Sequence, residues 1–273
     1  MLLKGCARLS ARILIFDSGV GGLSVWQAIH SRMPELQPFY LMDNEAQPYG
    51  ELADDYLVKR AVALISDAVA QCAPAMVVVA CNSASTLVLP ELRAKLEIPV
   101  VGVVPAIKPA ALQSKNKHIG ILATPGTVAR AYTQALIDEF AADCQISRLG
   151  SSELVLMAEQ KLAGQAPSLP LLRQLLSSWA GIEGPDTIVL GCTHFPLLAS
   201  EIQQALPQVC CIDSGDAIAR RVEALFQDAS IDAGPTEVPS TLWFTKRSES
   251  LGAQWAAFSA AGLVESQEIK SRH

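Results

Sequence analysis

Two cysteines each close a short apolar run and are followed at once by small polar residues. Met76-Val77-Val78-Val79-Ala80 runs into Cys81-Asn82-Ser83, and Thr187-Ile188-Val189-Leu190-Gly191 runs into Cys192-Thr193-His194. Each reads as a buried strand that delivers a thiol to the mouth of a cleft. Two thiols on opposite sides of one ligand can invert a stereocentre. A thiolate removes the proton of an acidic carbon from one face, and a thiol returns a proton from the other. A free thiol ionises near about 8.5, so one partner must be partly ionised by its surroundings. His194 lies on the same loop as Cys192, and Asp17 ends a neighbouring strand; either could tune or relay protons for its nearer cysteine. Hydroxyls of Ser18, Ser83, Thr124 and Thr193, with Asn82, could hold the carboxylates of an amino acid.

Taken singly, these residues have plainer readings. A cysteine at a buried strand end is most often a small buried hydrophobe, and a lone histidine is most often a satisfied polar group. The repeated design shifts Cys81 and Cys192 towards function. Cys6, Cys72, Cys144, Cys210 and Cys211 keep the structural reading.

The elements that must position these residues alternate along the chain. Ile13–Phe16 reads as a strand, Asp17-Ser18-Gly19-Val20-Gly21-Gly22 as a glycine turn, and the stretch from Leu23 as a helix. The glycines permit close approach of the backbone and leave helix amides for an anion. The spacing departs from a dinucleotide fingerprint, and Asp17 would repel a pyrophosphate. Further strands are expected at 38–42, 98–104, 119–123, 144–149, 209–212 and 241–245. Helices are expected at 51–73, 85–96, from Thr127 to about 142, 154–162, 169–179, 198–206 and from Asp213 to about 226. Tyr49, between Pro48 and Gly50, is either a loop anchor or a rim residue of the site. Such alternation means parallel sheets covered by helices. An internal echo points to two related halves: 111 positions separate Cys81 from Cys192, and 107 separate Asp17 from Thr124. The expected fold is therefore α/β, with two facing, pseudo-two-fold-related domains and the site in the cleft between them, outside the carboxyl ends of the strands. The first domain takes residues 1–104 plus 213–273, the second 105–212.

Composition narrows the class. Of 273 residues, 50% are apolar and 18% charged, enough for a sizeable core. A net charge of −6 offers no footprint for nucleic acid. No run is long enough to span a membrane, and Met1–Arg8 is too short and interrupted for a signal peptide. Seven cysteines, an odd number and without a Cys-x-x-Cys, argue against a disulfide framework, and four histidines offer no metal site. A cytoplasmic protein with free thiols is expected.

Several stretches together resemble the glutamate racemase family of the aspartate/glutamate racemase superfamily. They are Phe16–Val25, Pro48-Tyr49-Gly50, Ala80–Ser85, Gly102–Ala110, Leu122–Thr127 and Gly191-Cys192-Thr193-His194-Phe195-Pro196. The resemblance implies interconversion of L- and D-glutamate without a cofactor, supplying D-glutamate for peptidoglycan. It implies Cys81 and Cys192 as acid/base residues, Asp17 assisting the first and His194 the second. Ser18, Pro48, Tyr49, Gly50, Asn82, Ser83, Thr124, Thr127 and Thr193 would contact the amino acid together with Asp17 and His194. It further implies a homodimer and, for some members, activation by a UDP-linked muramoyl precursor. Ser83 stands where the family usually has threonine, and Gly150-Ser151-Ser152-Glu153 replaces a Cys-Pro segment. The family's catalytic-site glutamate falls on Glu159, with Glu153 as the alternative. Two other readings remain open on the residues: a racemase or decarboxylase of another substrate, or a two-lobed amino-acid-binding protein that needs neither thiol.

Overall fold

Branched apolar runs that stop at Gly, Pro or Asp can pair in parallel only if both faces are covered. The structure, a computed structural model, describes residues 11–228 and 239–270; the expectations for Met1–Arg8, Cys6 included, lie outside the described residues. β1 (Arg12–Asp17), β2 (Gln37–Met42), β3 (Met76–Val79) and β4 (Val100–Gly102) lie in the order β2-β1-β3-β4. β5 (His118–Ala123), β6 (Gln145–Gly150), β7 (Thr187–Leu190) and β8 (Cys210–Ile212) form a second sheet in the order β6-β5-β7-β8. The relative order is the same, so the echo in the sequence is a repeated four-strand unit. β9 (Thr241–Phe244) and β10 (Glu265–Glu268) extend the first sheet beyond β2, giving β10-β9-β2-β1-β3-β4. Every neighbouring pair runs parallel.

Side chains alternate across each sheet, and the inner strands β1 and β3 present apolar residues to both faces. On β1, Ile13 and Ile15 enter one core while Leu14 and Phe16 enter another. On β3, Met76 and Val78 take the first side and Val77 and Val79 the second, and Cys81 continues the second set beyond the strand end. Cys192 does the same after Ile188 and Leu190 in the second sheet. Each thiol is thus the last member of an inward-facing row.

Helices cover both sheets. α1 (Gly22–Arg32), α2 (Asp54–Cys72) and α3 (Asn82–Lys95) belong to the first half. α4 (Ile107–Gln113), α5 (Pro125–Ala129), α6 (Ala131–Phe140), α7 (Glu153–Leu162), α8 (Leu169–Leu175) and α9 (Ala199–Ala205) follow. α10 (Gly215–Asp228) and α11 (Glu249–Ala260) return to the first sheet and to α7. On α2, Leu57, Ala61, Leu64, Ile65 and Ala68 lie on one face and are buried in one cluster.

The elements differ from expectation at several places. The helix read through 142 is two, broken at Arg130, whose ψ of 143° is extended; the break sends the guanidinium to the Ser83 carbonyl at 2.8 Å and to Asp54 at 2.9 Å. The stretch 169–179 ends in a 3-10 turn, and so does the start of the stretch at 198. α3 begins at Asn82 rather than Ser85, which puts Cys81 at its N-cap. α11 and β10 were not expected. Among the described residues no helix is long and apolar enough to cross a membrane.

Candidate active site

β1 delivers Asp17, fully buried, to the carboxyl edge of the first sheet. Its Oδ1 accepts the Gly19 amide at 2.8 Å, which folds the glycine turn back on the strand end. Tyr40 donates to the Gly19 carbonyl at 2.8 Å and fixes the turn from β2. No positive φ occurs at Gly19, Gly21 or Gly22. The glycines serve close approach instead. A Cβ on Gly21 would stand 2.5 Å from both His194 Nδ1 and Thr193 Oγ1, and one on Gly19 would strike the side chains of Glu159 and Gln47. The anion expected at this turn is a side chain of the protein itself: the Val20 amide donates to Glu159 Oε1 at 2.9 Å.

Cys81 and Cys192 are both 6% exposed and occupy equivalent places after the central strands of the two sheets. Their surroundings differ. Ser18 Oγ lies 3.8 Å from Cys81 Sγ. Burial pushes the Cys81 thiol up to about 12, and the Asp17 carboxylate adds to the shift, against the Ala84 amide and Ser18, which favour the thiolate. Asp17 is itself raised, chiefly by burial, with His194, the Gly19 amide and the Thr193 hydroxyl opposing. On this side burial favours the uncharged form of both groups.

The Cys192 half is built around a cation. His194 Nδ1 lies 3.7 Å from Cys192 Sγ, and its Nε2 lies 2.7 Å from Glu159 Oε1. Burial draws the imidazole towards neutrality, but hydrogen bonds to Cys192 and Glu159 outweigh it and raise His194 well above its ordinary value. Burial likewise opposes the Glu159 charge, yet the His194 hydrogen bond, the Val20 amide and Gln47 leave it lowered. A carboxylate, an imidazolium and a thiol thus stand in a row. Glu153 is exposed and makes no part of it.

Three hydroxyls meet between the halves. Ser83 Oγ lies 3.2 Å from Thr124 Oγ1 and 3.2 Å from Thr127 Oγ1. Thr124 caps α5 and donates to Thr127 Oγ1 at 3.0 Å. Asn82, the first residue of α3, is buried at 4% exposure, and among the described residues its Oδ1 has no hydrogen-bond partner. The Pro48-Tyr49-Gly50 loop closes on the same place, because a Cβ on Gly50 would stand 2.5 Å from Thr124 Oγ1. The Tyr49 ring, however, is an anchor: it is 1% exposed and its hydroxyl donates to Asp43 Oδ2 at 2.5 Å. At Gly50 it is the backbone that comes against Thr124. Asp43 also binds Arg60, at 2.6 and 2.7 Å, and Thr245 at 2.7 Å.

The structure therefore gathers Asp17, Ser18, Gly50, Asn82, Ser83, Thr124, Thr127, Cys81, Glu159, Cys192, Thr193 and His194 at one place between the sheets. It adds residues that the sequence did not single out. Gln47 donates to Glu159 Oε1 at 2.6 Å, and Gln254 to Glu159 Oε2 at 2.7 Å. Gln47 adjoins the Pro48-Tyr49-Gly50 stretch, so a signal lay beside it; a lone glutamine in α11 carries none.

Two thiols thus stand in unlike electrostatic settings on equivalent loops of repeated units. The Asp/Glu/Hydantoin racemase family model matches residues 23–222, and the chain belongs to that family; it is an isomerase. Among the relatives, the glutamate racemase of Shewanella loihica is 55% identical over 220 residues, 80% of this chain and 82% of that protein. That of Serratia proteamaculans is 55% identical over 218 residues, 79% of this chain and 76% of that protein. A crystal structure of Escherichia coli glutamate racemase, in complex with L-glutamate and the activator UDP-MurNAc-ala, superposes with a TM-score of 0.93 at 44% identity, covering 97% of this chain and 100% of that one. The isoform RacE1 from Bacillus anthracis gives 0.80 at 26% identity, with 96% and 98% covered.

Proposed function

We propose that this chain interconverts L- and D-glutamate by proton transfer between Cys81 and Cys192, and that the product serves peptidoglycan synthesis. The observation that carries the mechanism is the unlike pairing of the thiols, Cys192 with the His194 cation and Cys81 with the buried Asp17. Cys192 starts as thiolate and Cys81 as thiol. For one enantiomer the C–H bond breaks as an S–H bond forms on Cys192, and a new C–H bond forms on the opposite face as Cys81 gives up its proton. The substrate leaves inverted, with the thiol and thiolate exchanged, and the opposite enantiomer uses the reverse sequence. Before the next turnover of the same enantiomer Cys81 must regain a proton, which Asp17 relays from solvent, and Cys192 must lose one to solvent, while the His194 imidazolium stabilises the Cys192 thiolate left behind. The exchange is redox-neutral, so it needs no oxidant or reductant.

Glutamate fits the polar groups on hand. Asn82, Ser18, Thr193 and the Tyr49-Gly50 backbone suit the amino-acid end. The Ser83, Thr124 and Thr127 hydroxyls suit a second carboxylate one side chain away. The domain units are read as 1–104 plus 213–273 and 105–212, supported by the membership of β4 and β8 in different sheets. The activator UDP-MurNAc-ala in the Escherichia coli complex supports a UDP-linked muramoyl precursor as activator here, and the family resemblance alone supports a cytoplasmic homodimer as the working form.

The test is α-hydrogen exchange in deuterated water, followed by NMR and by optical rotation. L-glutamate should exchange and racemise together. Exchange of aspartate but not glutamate would move the substrate within the family, and binding without exchange would refute the two-thiol mechanism.

A further inference from the structure

Glu159 attracts more donors than the orientation of one histidine requires. Oε1 receives the Val20 amide at 2.9 Å, Gln47 Nε2 at 2.6 Å and His194 Nε2 at 2.7 Å. Oε2 receives Gln254 Nε2 at 2.7 Å, and the same amide reaches the Glu159 carbonyl at 3.1 Å. Gln47 comes from the loop after β2, and Gln254 from α11. Gln254 is 3% exposed, so its amide is buried towards this carboxylate and away from water. Buried carboxylates normally take up a proton; convergent donors are what keep one ionised.

The groups facing this charge come from several elements. They are His194 after β7, Asp17 at the end of β1 and Tyr40 on β2. Of these only His194 can be cationic. Lys161, two residues along α7, is turned away to Glu201 at 2.8 Å and to the Leu197 carbonyl at 2.7 Å. The charge of Glu159 therefore acts on the catalytic centre through His194.

We propose that Gln47 and Gln254 are positioning residues that hold Glu159 as a carboxylate and so keep His194 protonated against Cys192. The inference rests on the two-thiol reading of the site. Remove one amide and Glu159 becomes the better base. The proton shared along the Glu159–His194 hydrogen bond then moves to the carboxyl, and Cys192 loses its cationic neighbour. Only a proton moves. Both amides belong to elements of the first sheet, whereas Glu159, His194 and Cys192 follow strands of the second. The thiolate is thus made only where the two halves have docked, and α11 reports the docking of the C-terminal segment to the reacting thiol.

The variants are Gln254→Met and Gln47→Met, which keep side-chain length and remove the amide. The intact chain is used, with wild type alongside. Two readouts are taken against pH: kcat/KM for L-glutamate, and the rate of Cys192 alkylation by iodoacetamide, with the Cys81 peptide as internal reference. In each variant the acid limb of kcat/KM should move up by about one pH unit, with a roughly tenfold loss below neutrality, the effect of one hydrogen bond to a charged group. Cys192 alkylation should move in the same direction and Cys81 should not. A uniform loss at all pH, with the acid limb and the Cys192 alkylation profile unmoved, overturns the proposal. If Gln254→Met does not fold, Gln47→Met, on a surface loop, decides alone. If wild type does not exchange the α-hydrogen, the two-thiol reading fails, while the alkylation profiles still decide whether the amides set the charge at Cys192.

Discussion

The Thr193 hydroxyl, on the loop after β7, donates to Asp17 Oδ2 at the end of β1 at 2.9 Å. The residue beside one thiol thereby braces the carboxylate beside the other. Ser24 repeats the crossing by donating to the Thr193 carbonyl at 2.8 Å, and the Val20 amide does so at Glu159. The acid/base groups of each half are held by the opposite half, so neither half-site has its working geometry alone.

Removal of either thiol breaks the relay on both directions of reaction. Cys81→Ala and Cys192→Ala should each lower kcat/KM by about 10³-fold or more, the scale of general acid–base catalysis. The enantiomers are equal in energy, so the loss must be the same from L and from D. Polarimetry from each side checks this. Thermal melting should show both variants folded, and turnover near wild type in either one would refute the mechanism.

Burial of thiols gives stability a definite pH slope. Cys72 and Cys81 are each pushed up to about 12 by burial, whereas an unfolded thiol ionises near about 8.5. Below that lower value both states keep the proton and these groups add no slope. Above it the unfolded chain sheds protons that the folded chain retains, so stability falls as pH rises towards about 12. His194, also raised, acts in the same sense: its stabilising contribution is present below its ordinary value and is lost as pH rises through the folded one. The urea midpoint should be lower at about pH 10 than at about pH 8. Cys72→Ala should flatten the difference without touching the site.

The glycine turn predicts a loss of activity out of proportion to stability. In Gly21→Ala the new methyl group meets His194 Nδ1, so the imidazole must leave Cys192 Sγ. A displacement near 1 Å costs roughly 10²-fold in rate, and kcat should carry the loss. Gly252→Ala is the contrast. A Cβ there meets nothing within 4 Å on α11, and the helix should gain about 0.5–1 kcal/mol with activity unchanged. Steady-state kinetics and urea titration of both proteins test the pair.

Arg60→Ala leaves Asp43 buried without its bidentate partner. Breaking such a pair costs about 3–5 kcal/mol. Because Asp43 also holds Tyr49 and Thr245, the loop carrying Gln47 and Gly50 should loosen, and KM for glutamate should rise. A urea midpoint like that of wild type would show that the pair does not anchor the loop.

The central strands were legible because their inner positions are continuously apolar, as in Ile13-Leu14-Ile15-Phe16 and Ile188-Val189-Leu190, a pattern that suits a doubly covered parallel strand. Cys81 and Cys192 were legible because the same design occurs twice. Glu159 was not separable from Glu153 by sequence, since both begin or lie within one helix and only the packing of α7 on α11 and on the glycine turn decides which faces His194. The break at Arg130 was hidden because Ala129 to Tyr132 has no glycine or proline; a tertiary contact to the Ser83 carbonyl overrides local propensity there. β10 was hidden for the opposite reason. Glu265-Ser266-Gln267-Glu268 is polar and exposed throughout, as an edge strand can be. Tyr49 illustrates a residue whose place was foreseen and whose direction was not: the ring turns into the core and leaves its backbone at the cleft.

β9 lies beside β2, with Leu41 opposite Trp243, so the second sheet is strung along the chain between two strands that touch. On a ribosome, β2 would emerge with one edge open and stay so until the segment past Thr241 arrived. Pairing across such a separation carries a large loop-closure cost and slows folding. An unpaired β2, with its Phe39-Tyr40-Leu41-Met42 run, is also a template for other chains. The same connection that brings Gln254 to Glu159 therefore makes full-length synthesis a condition for solubility as much as for turnover, and nascent chains cut short before β9 are natural clients for chaperones.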